Sequence, residues 1–152
     1  MFRFLVSMFT ASCAVFLMAG CAQKVYTAEQ LGQMTPQERV VIMLQQPQID
    51  DIYTANVSKF SEFFGDEDAF GLMRVVEVHT DYIVVVTEDA AWPDEADGSI
   101  EELEGDFSTI GWDTEEKIVI QMADLEGYLK DGSILAGRRL TAQEANDYLG
   151  GL

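Results

Sequence analysis

The stretch LMRVVEVHTDYIVVVTED, residues 72–89, constrains the fold more than any other part of the chain. It is dense in β-branched residues, which are stiff at χ1 and pack well on a pleated surface. A polar interruption at His79, Thr80 and Asp81 divides it into two arms, and that pattern predicts a β-hairpin. The second arm contains an unbroken apolar run, Tyr82 to Val86. Such a run suits a strand covered on both faces, hence a central position and not an edge. Any fold for this chain must therefore contain a sheet that buries this hairpin.

Two further strands are predicted on the same grounds. KIVIQM spans 117–122, and SILAGRRL spans 133–140, entered through the turn Asp131-Gly132. The segment between them, ADLEGYLKDG, admits either a helical turn at Leu125, Tyr128 and Leu129 or a strand extension through Tyr128 and Leu129.

Helix signals flank the hairpin. Thr27 with Gln30 and Thr35 with Glu38 are capping-box spacings, the second with Pro36 at the first helical position. The helix PQERVVIMLQQ should bury Val40, Val41 and Leu44, and Pro47 should end it. A third helix is predicted in PQIDDIYTANVSKFSEFFG. There Ile49, Ile52, Tyr53, Val57, Phe60, Phe63 and Phe64 fall at helical spacing, Asp50 and Asp51 occupy the first turn, and Gly65 is the stop. This helix is expected to cover the sheet. Finally, LTAQEANDYLGG has a third box, Thr141 with Glu144, and a Gly150-Gly151 stop, giving a short C-terminal helix. The fold class expected is α+β: N-terminal helices packed on an antiparallel sheet of about four strands, with that short last helix. A small SH3-type barrel is the alternative architecture.

The chain opens MFRFLVSMFTASCAVFLMAGC. One arginine precedes a run of 15 mostly apolar residues, Phe4–Met18. That is short of the roughly 20 needed to span a bilayer. It fits a secretory signal peptide, with a positive start, a short apolar region and small residues before a cut. LMAGC resembles the lipobox of bacterial lipoproteins, with Ala19 and Gly20 at the small positions and Cys21 as the lipidated residue. Met18 occupies the place where leucine is commoner, and Leu17 stands one step earlier. The resemblance covers about the first 22 residues. It implies removal of residues 1–20, acyl chains on Cys21, a lipid-anchored tether over 21–26 and a single acidic domain over 27–152. Ala22 in place of aspartate after the cysteine implies the outer membrane, facing the periplasm. Several acyl chains are needed for stable attachment, since one alone anchors marginally.

The remaining length suits one domain able to bury its own core. On this reading Cys13 leaves with the signal and Cys21 is blocked by lipid, so thiol catalysis and cysteine-based zinc sites are excluded. The chain holds 27 acids against nine Lys and Arg, a formal charge of −18. Removing the signal takes away one arginine and no acid, which gives −19. Nucleic acid is not expected as a partner, because phosphate binding demands a basic face. Solubility in a salty medium accounts for an acidic surface without any partner.

The charge is also local. The 42 residues between Arg74 and Lys117 contain no Lys or Arg and hold fourteen of the acids, densest in WPDEADGSIEELEGDF. Placing Gly98 sixth in a calcium loop gives oxygen ligands third, fifth and twelfth, but Pro93 stands first and supplies none. A solvated charged loop is the expectation, with no metal and no cofactor. Trp92 and Trp112 bracket it. Aromatics beside carboxylates can stack on sugars or receive a partner's basic side chains, but plugging the edge of a core is their commoner role and the one expected here. Glu101, Glu102 and Glu104 with Trp92 and Trp112 form the candidate partner-binding set.

No catalytic residue is assigned. His79 is the only histidine and falls in the hairpin turn, and no nucleophile elbow or P-loop pattern occurs. Three function classes follow in order. First is a lipid-anchored envelope protein that acts by binding, with no catalytic activity. Second is a periplasmic inhibitor or immunity-type lipoprotein that neutralises a basic secreted enzyme. Third is a carboxylate-based hydrolase.

Overall fold

A computed structural model describes residues 24–64, 67–93 and 96–149. The expected signal peptide, Cys21, and the expected helix stops at Gly65 and Gly150-Gly151 lie outside the described residues. The fold is α+β, with five helices and an antiparallel sheet of six strands. Helices α1 (Ala28–Leu31) and α2 (Pro36–Gln45) come first, followed by β1 (Asp51–Asn56) and two 3₁₀ turns, Val57–Lys59 and Glu62–Phe64. The hairpin is β2 (Ala69–Val78) and β3 (Tyr82–Thr87), followed by the short β4 (Trp92–Pro93) and α3 (Ala96–Leu103). Then come β5 (Ile118–Gln121), α4 (Leu125–Lys130), β6 (Ile134–Arg139) and α5 (Ala142–Leu149).

Strand order is β5-β3-β2-β1-β6, with β4 paired to β2 off that path. The sheet is open, with β5 and β6 at its ends, so the barrel alternative does not hold. β3 has strands on both sides, as its apolar run requires. The three predicted capping boxes all form, at Thr27, Thr35 and Thr141. The turn before β6 places Gly132 at φ +80°. The undecided segment 123–132 is helical and contains α4.

The predicted third helix is not there. Its first half is β1, an interior strand buried along its whole length between β2 and β6. Ile52 and Tyr53 point to opposite faces, and the polar residues on either side of them, Asp51 and Thr54, have partners. Asp51 receives two bonds from Arg139, at 2.7 and 2.8 Å. The Thr54 hydroxyl donates to the Ser99 carbonyl at 2.8 Å. Asp50, expected in a helix first turn, instead sits at φ +68° and pairs with Arg74. The helical spacing of apolar residues here is a coincidence of a two-sided strand followed by two tight turns.

Alternation along the strands builds two cores. On one face Tyr53, Met73, Val75, Ile83, Val85 and Ile120 pack against Leu31, Val40, Met43, Leu44 and Leu125 from α1, α2 and α4. On the other, Ile52, Leu72, Val86 and Ala136 pack against Leu103 of α3, Phe107, Trp112 and Leu149 of α5. Helices therefore cover both faces, where the sequence had suggested N-terminal cover. Val41, expected in the core, is 44% exposed, and Met43 takes its place one turn position on.

Candidate functional site

The acidic stretch is not a loop throughout. Residues 96–103 form α3, which packs across β1, β2 and β6. Two buried residues seat it. Leu103 enters the core, and Ser99 lies at full burial with its carbonyl held by Thr54. Asp97 is in the first turn, where the helix dipole favours it. The other end is unfavourable, because Glu101 and Glu102 lie in the last turn and no basic residue follows them. Like charges at Asp97 and Glu101, four apart, add to the cost.

Arginines from elsewhere offset this. Arg138 of β6 donates to the carbonyls of Leu103 and Gly105, at 3.0 and 2.8 Å, placing a guanidinium on the helix's bare C-terminal end. Its other nitrogen pairs with Glu144 at 2.7 Å, and the guanidinium lies over the Phe107 ring. Arg39 of α2, itself buried, pairs with Glu104 just beyond α3. Arg139 is buried on Asp51 and also donates to the carbonyls of Tyr26 and Gln46. With Arg74 on Asp50, every arginine among the described residues is committed inside the fold. The outer surface of α3 is left to uncompensated carboxylates.

The candidate residues separate into two groups. Trp92 is 41% exposed on β4, and its Nε1 donates to Glu102 at 2.9 Å. Its ring lies against Gly98, where a Cβ would stand 3.2 Å from the indole. Trp92, Glu101 and Glu102 thus share one surface. Trp112 does not belong to it: it is 9% exposed and packs in the second core, as a plug. Glu104 is turned toward Arg39. His79 lies in the hairpin turn, stacked on Tyr82 and paired with Glu77.

One buried carboxylate escaped the sequence reading. Glu88, just past β3, is 3% exposed and accepts the Leu72 backbone N–H at 2.7 Å. Burial pushes its pKa from 4.5 to about 7, and the nearby Glu102 and Asp89 charges push the same way. Among the described residues no basic side chain is paired with it. Gly71 makes the space, since a Cβ there would lie 2.7 Å from the carboxyl oxygen. A glutamate ending a strand of valines carries no local signal that it will be covered.

Among the described residues no group of three or more His, Cys, Asp or Glu is placed to hold a metal ion. The twelve positions that approximated a calcium loop are interrupted by α3. No described helix is long and apolar enough to cross a membrane. No known family model matches this chain, and no curated protein or solved structure gives a significant match.

Proposed function

We propose that this chain is a lipid-anchored envelope protein that works by binding, without catalysis, and that a basic protein docks on α3 beside Trp92. The anchor rests on LMAGC and the apolar run before it. The docking face rests on one observation above the others: the arginines are spent internally, so the exposed side of α3 has no cations of its own. A partner's lysines and arginines would relieve that repulsion, and the field would mainly speed association. Trp92 supplies the apolar contact that holds the docked state, as exposed tryptophans at interface centres commonly do. Trp112 and Glu104 are not part of the docking set, being committed to the core and to Arg39. The inhibitor reading is one form of the same chemistry, with a basic enzyme as the partner.

The test uses full-length protein extracted in detergent, immobilised and exposed to envelope extract. A basic protein should be retained at low salt and released as salt rises, and Trp92→Ala should hasten its release. Retention that ignores salt and survives Trp92→Ala would refute the proposal.

A further inference from the structure

β5 and β6 are both end strands of the sheet, but their surroundings differ. α1, α2, α3 and α4 all pack against β6, whereas no helix packs as closely against β5. Among the described residues β5 pairs only with β3, and no strand lies beyond it. In the antiparallel ladder Ile120 and Ile118 exchange bonds with β3, continuing from Met122, whose N–H donates to the Asp81 carbonyl. Alternation then turns the main-chain groups of Val119 and Gln121 outward. The Gln121 carbonyl is taken by the Asp124 N–H, which leaves the Val119 N–H and C=O and the Gln121 N–H facing the open edge. An unpaired edge is a template for another strand.

Natural edges are blunted by short strands, charged side chains, proline or bulges. β5 is short, at four residues, but the basic side chain beside it, Lys117, is bonded to Glu77 at 2.8 Å, two strands away across the sheet. The edge also has apolar purchase on both faces. Val119 is 56% exposed on one. On the other, at the C-terminal exit of the strand where Met122 follows it, opens a groove of about 680 Å³ between α2 and α4, with Val41, Leu44, Leu125 and Leu129 on its walls and Thr80, Glu126 and Lys130 at its rim. This explains why Val41 is not in the core: it forms one wall of that groove.

Charge selects the occupant. Glu115 is exposed before β5, and Asp81, Asp124 and Glu126 are exposed at its far end. Lys130, near the groove, is already paired with Glu126 at 2.6 Å. A second copy pairing edge to edge would bring these carboxylates together, in either strand direction. We propose that the β5 edge accepts an extended, basic segment of another protein by strand addition. Its main chain bonds Val119 and Gln121, side chains on one of its faces cover Val119 while those on the other reach the groove past Met122, and its basic ends meet the carboxylates. The surface is separate from the α3 face, which packs over β1, β2 and β6.

The probe is a nine-residue peptide of alternating valine and threonine, flanked by Lys-Arg pairs. Hydrogen exchange of the isotopically labelled protein should show the Val119 and Gln121 amides protected on adding it. The same peptide with alternate amides N-methylated should bind on the order of tenfold more weakly, since strand-pairing bonds are lost. Val119→Pro should weaken the unmodified peptide similarly, because proline is tolerated where the N–H faces outward. The N-methylated probe keeps the test valid if that variant does not fold. Trp92→Ala should bind the peptide as the parent does, which distinguishes this surface from α3. Absence of peptide binding, equal binding of the methylated or an acidic-flanked peptide, protection elsewhere, or dimerisation through β5 would each overturn the proposal.

Discussion

Replacing Glu88 with glutamine tests the reading of the buried carboxylate quantitatively. The folded state raises its pKa from 4.5 to about 7. In that window the folded protein binds more protons than the unfolded chain, so stability falls as pH rises and the loss is complete above the folded pKa. At about 1.4 kcal/mol for each pH unit, ionised Glu88 costs the fold roughly 3 kcal/mol. Glutamine keeps the acceptor for the Leu72 N–H and carries no charge. It adds an amide donor whose burial without a partner costs about 1 kcal/mol. Glu88→Gln should therefore be about 2 kcal/mol more stable than the parent near pH 8, and slightly less stable near pH 5. Urea unfolding of both proteins, followed by tryptophan fluorescence, measures the difference across that range. Other titrating groups, including Asp51, whose carboxyl burial raises against the pull of Arg139, act alike in both proteins and cancel. A difference that stays constant from about pH 5 to pH 8 would refute the reasoning.

Three further outcomes follow from the same contacts. Arg139→Met leaves Asp51 buried without its partner, and should cost about 3–5 kcal/mol near neutral pH, less in acid, by urea unfolding. Gly71→Ala places a methyl against the Glu88 carboxyl oxygen, so unfolding should show a loss of about 1–3 kcal/mol. Cys21→Ser should leave an uncut, unacylated precursor, and intact mass of the membrane-extracted protein will show it; a parent N-terminus other than Cys21 refutes the anchor.

Where information was local, the sequence was enough. The hairpin 72–89 declares itself through β-branched density and a polar turn, and each capping box through a three-residue spacing. β1 was hidden because its polar positions are satisfied from far away, Asp51 by a residue 88 positions on and Thr54 by one 45 positions on. Without those partners, Asp51 and Thr54 argue against a buried strand, and the apolar spacing favours a helix. α3 was hidden for the same reason. Its acidic last turn and Gly98 discourage a helix, and the guanidinium that caps it comes from Arg138, 35 positions on. Trp92 and Trp112 looked equivalent as brackets of one acidic stretch. Only tertiary packing makes one a core residue and the other a surface one.

In the proposed function, α3 and Trp92 form a docking face for a basic partner, steered by charge and held by the indole. The most direct measurement is the association and dissociation rate of the captured partner at two salt concentrations, for the parent, Glu101→Gln with Glu102→Gln, and Trp92→Ala. Glutamine at 102 still accepts from the Trp92 indole, so the tryptophan keeps its seat. The double glutamine variant should associate more slowly and lose most of its salt dependence, while Trp92→Ala should associate normally and dissociate about tenfold or more faster. Unchanged association at both salt concentrations, together with unchanged dissociation of Trp92→Ala, would contradict it.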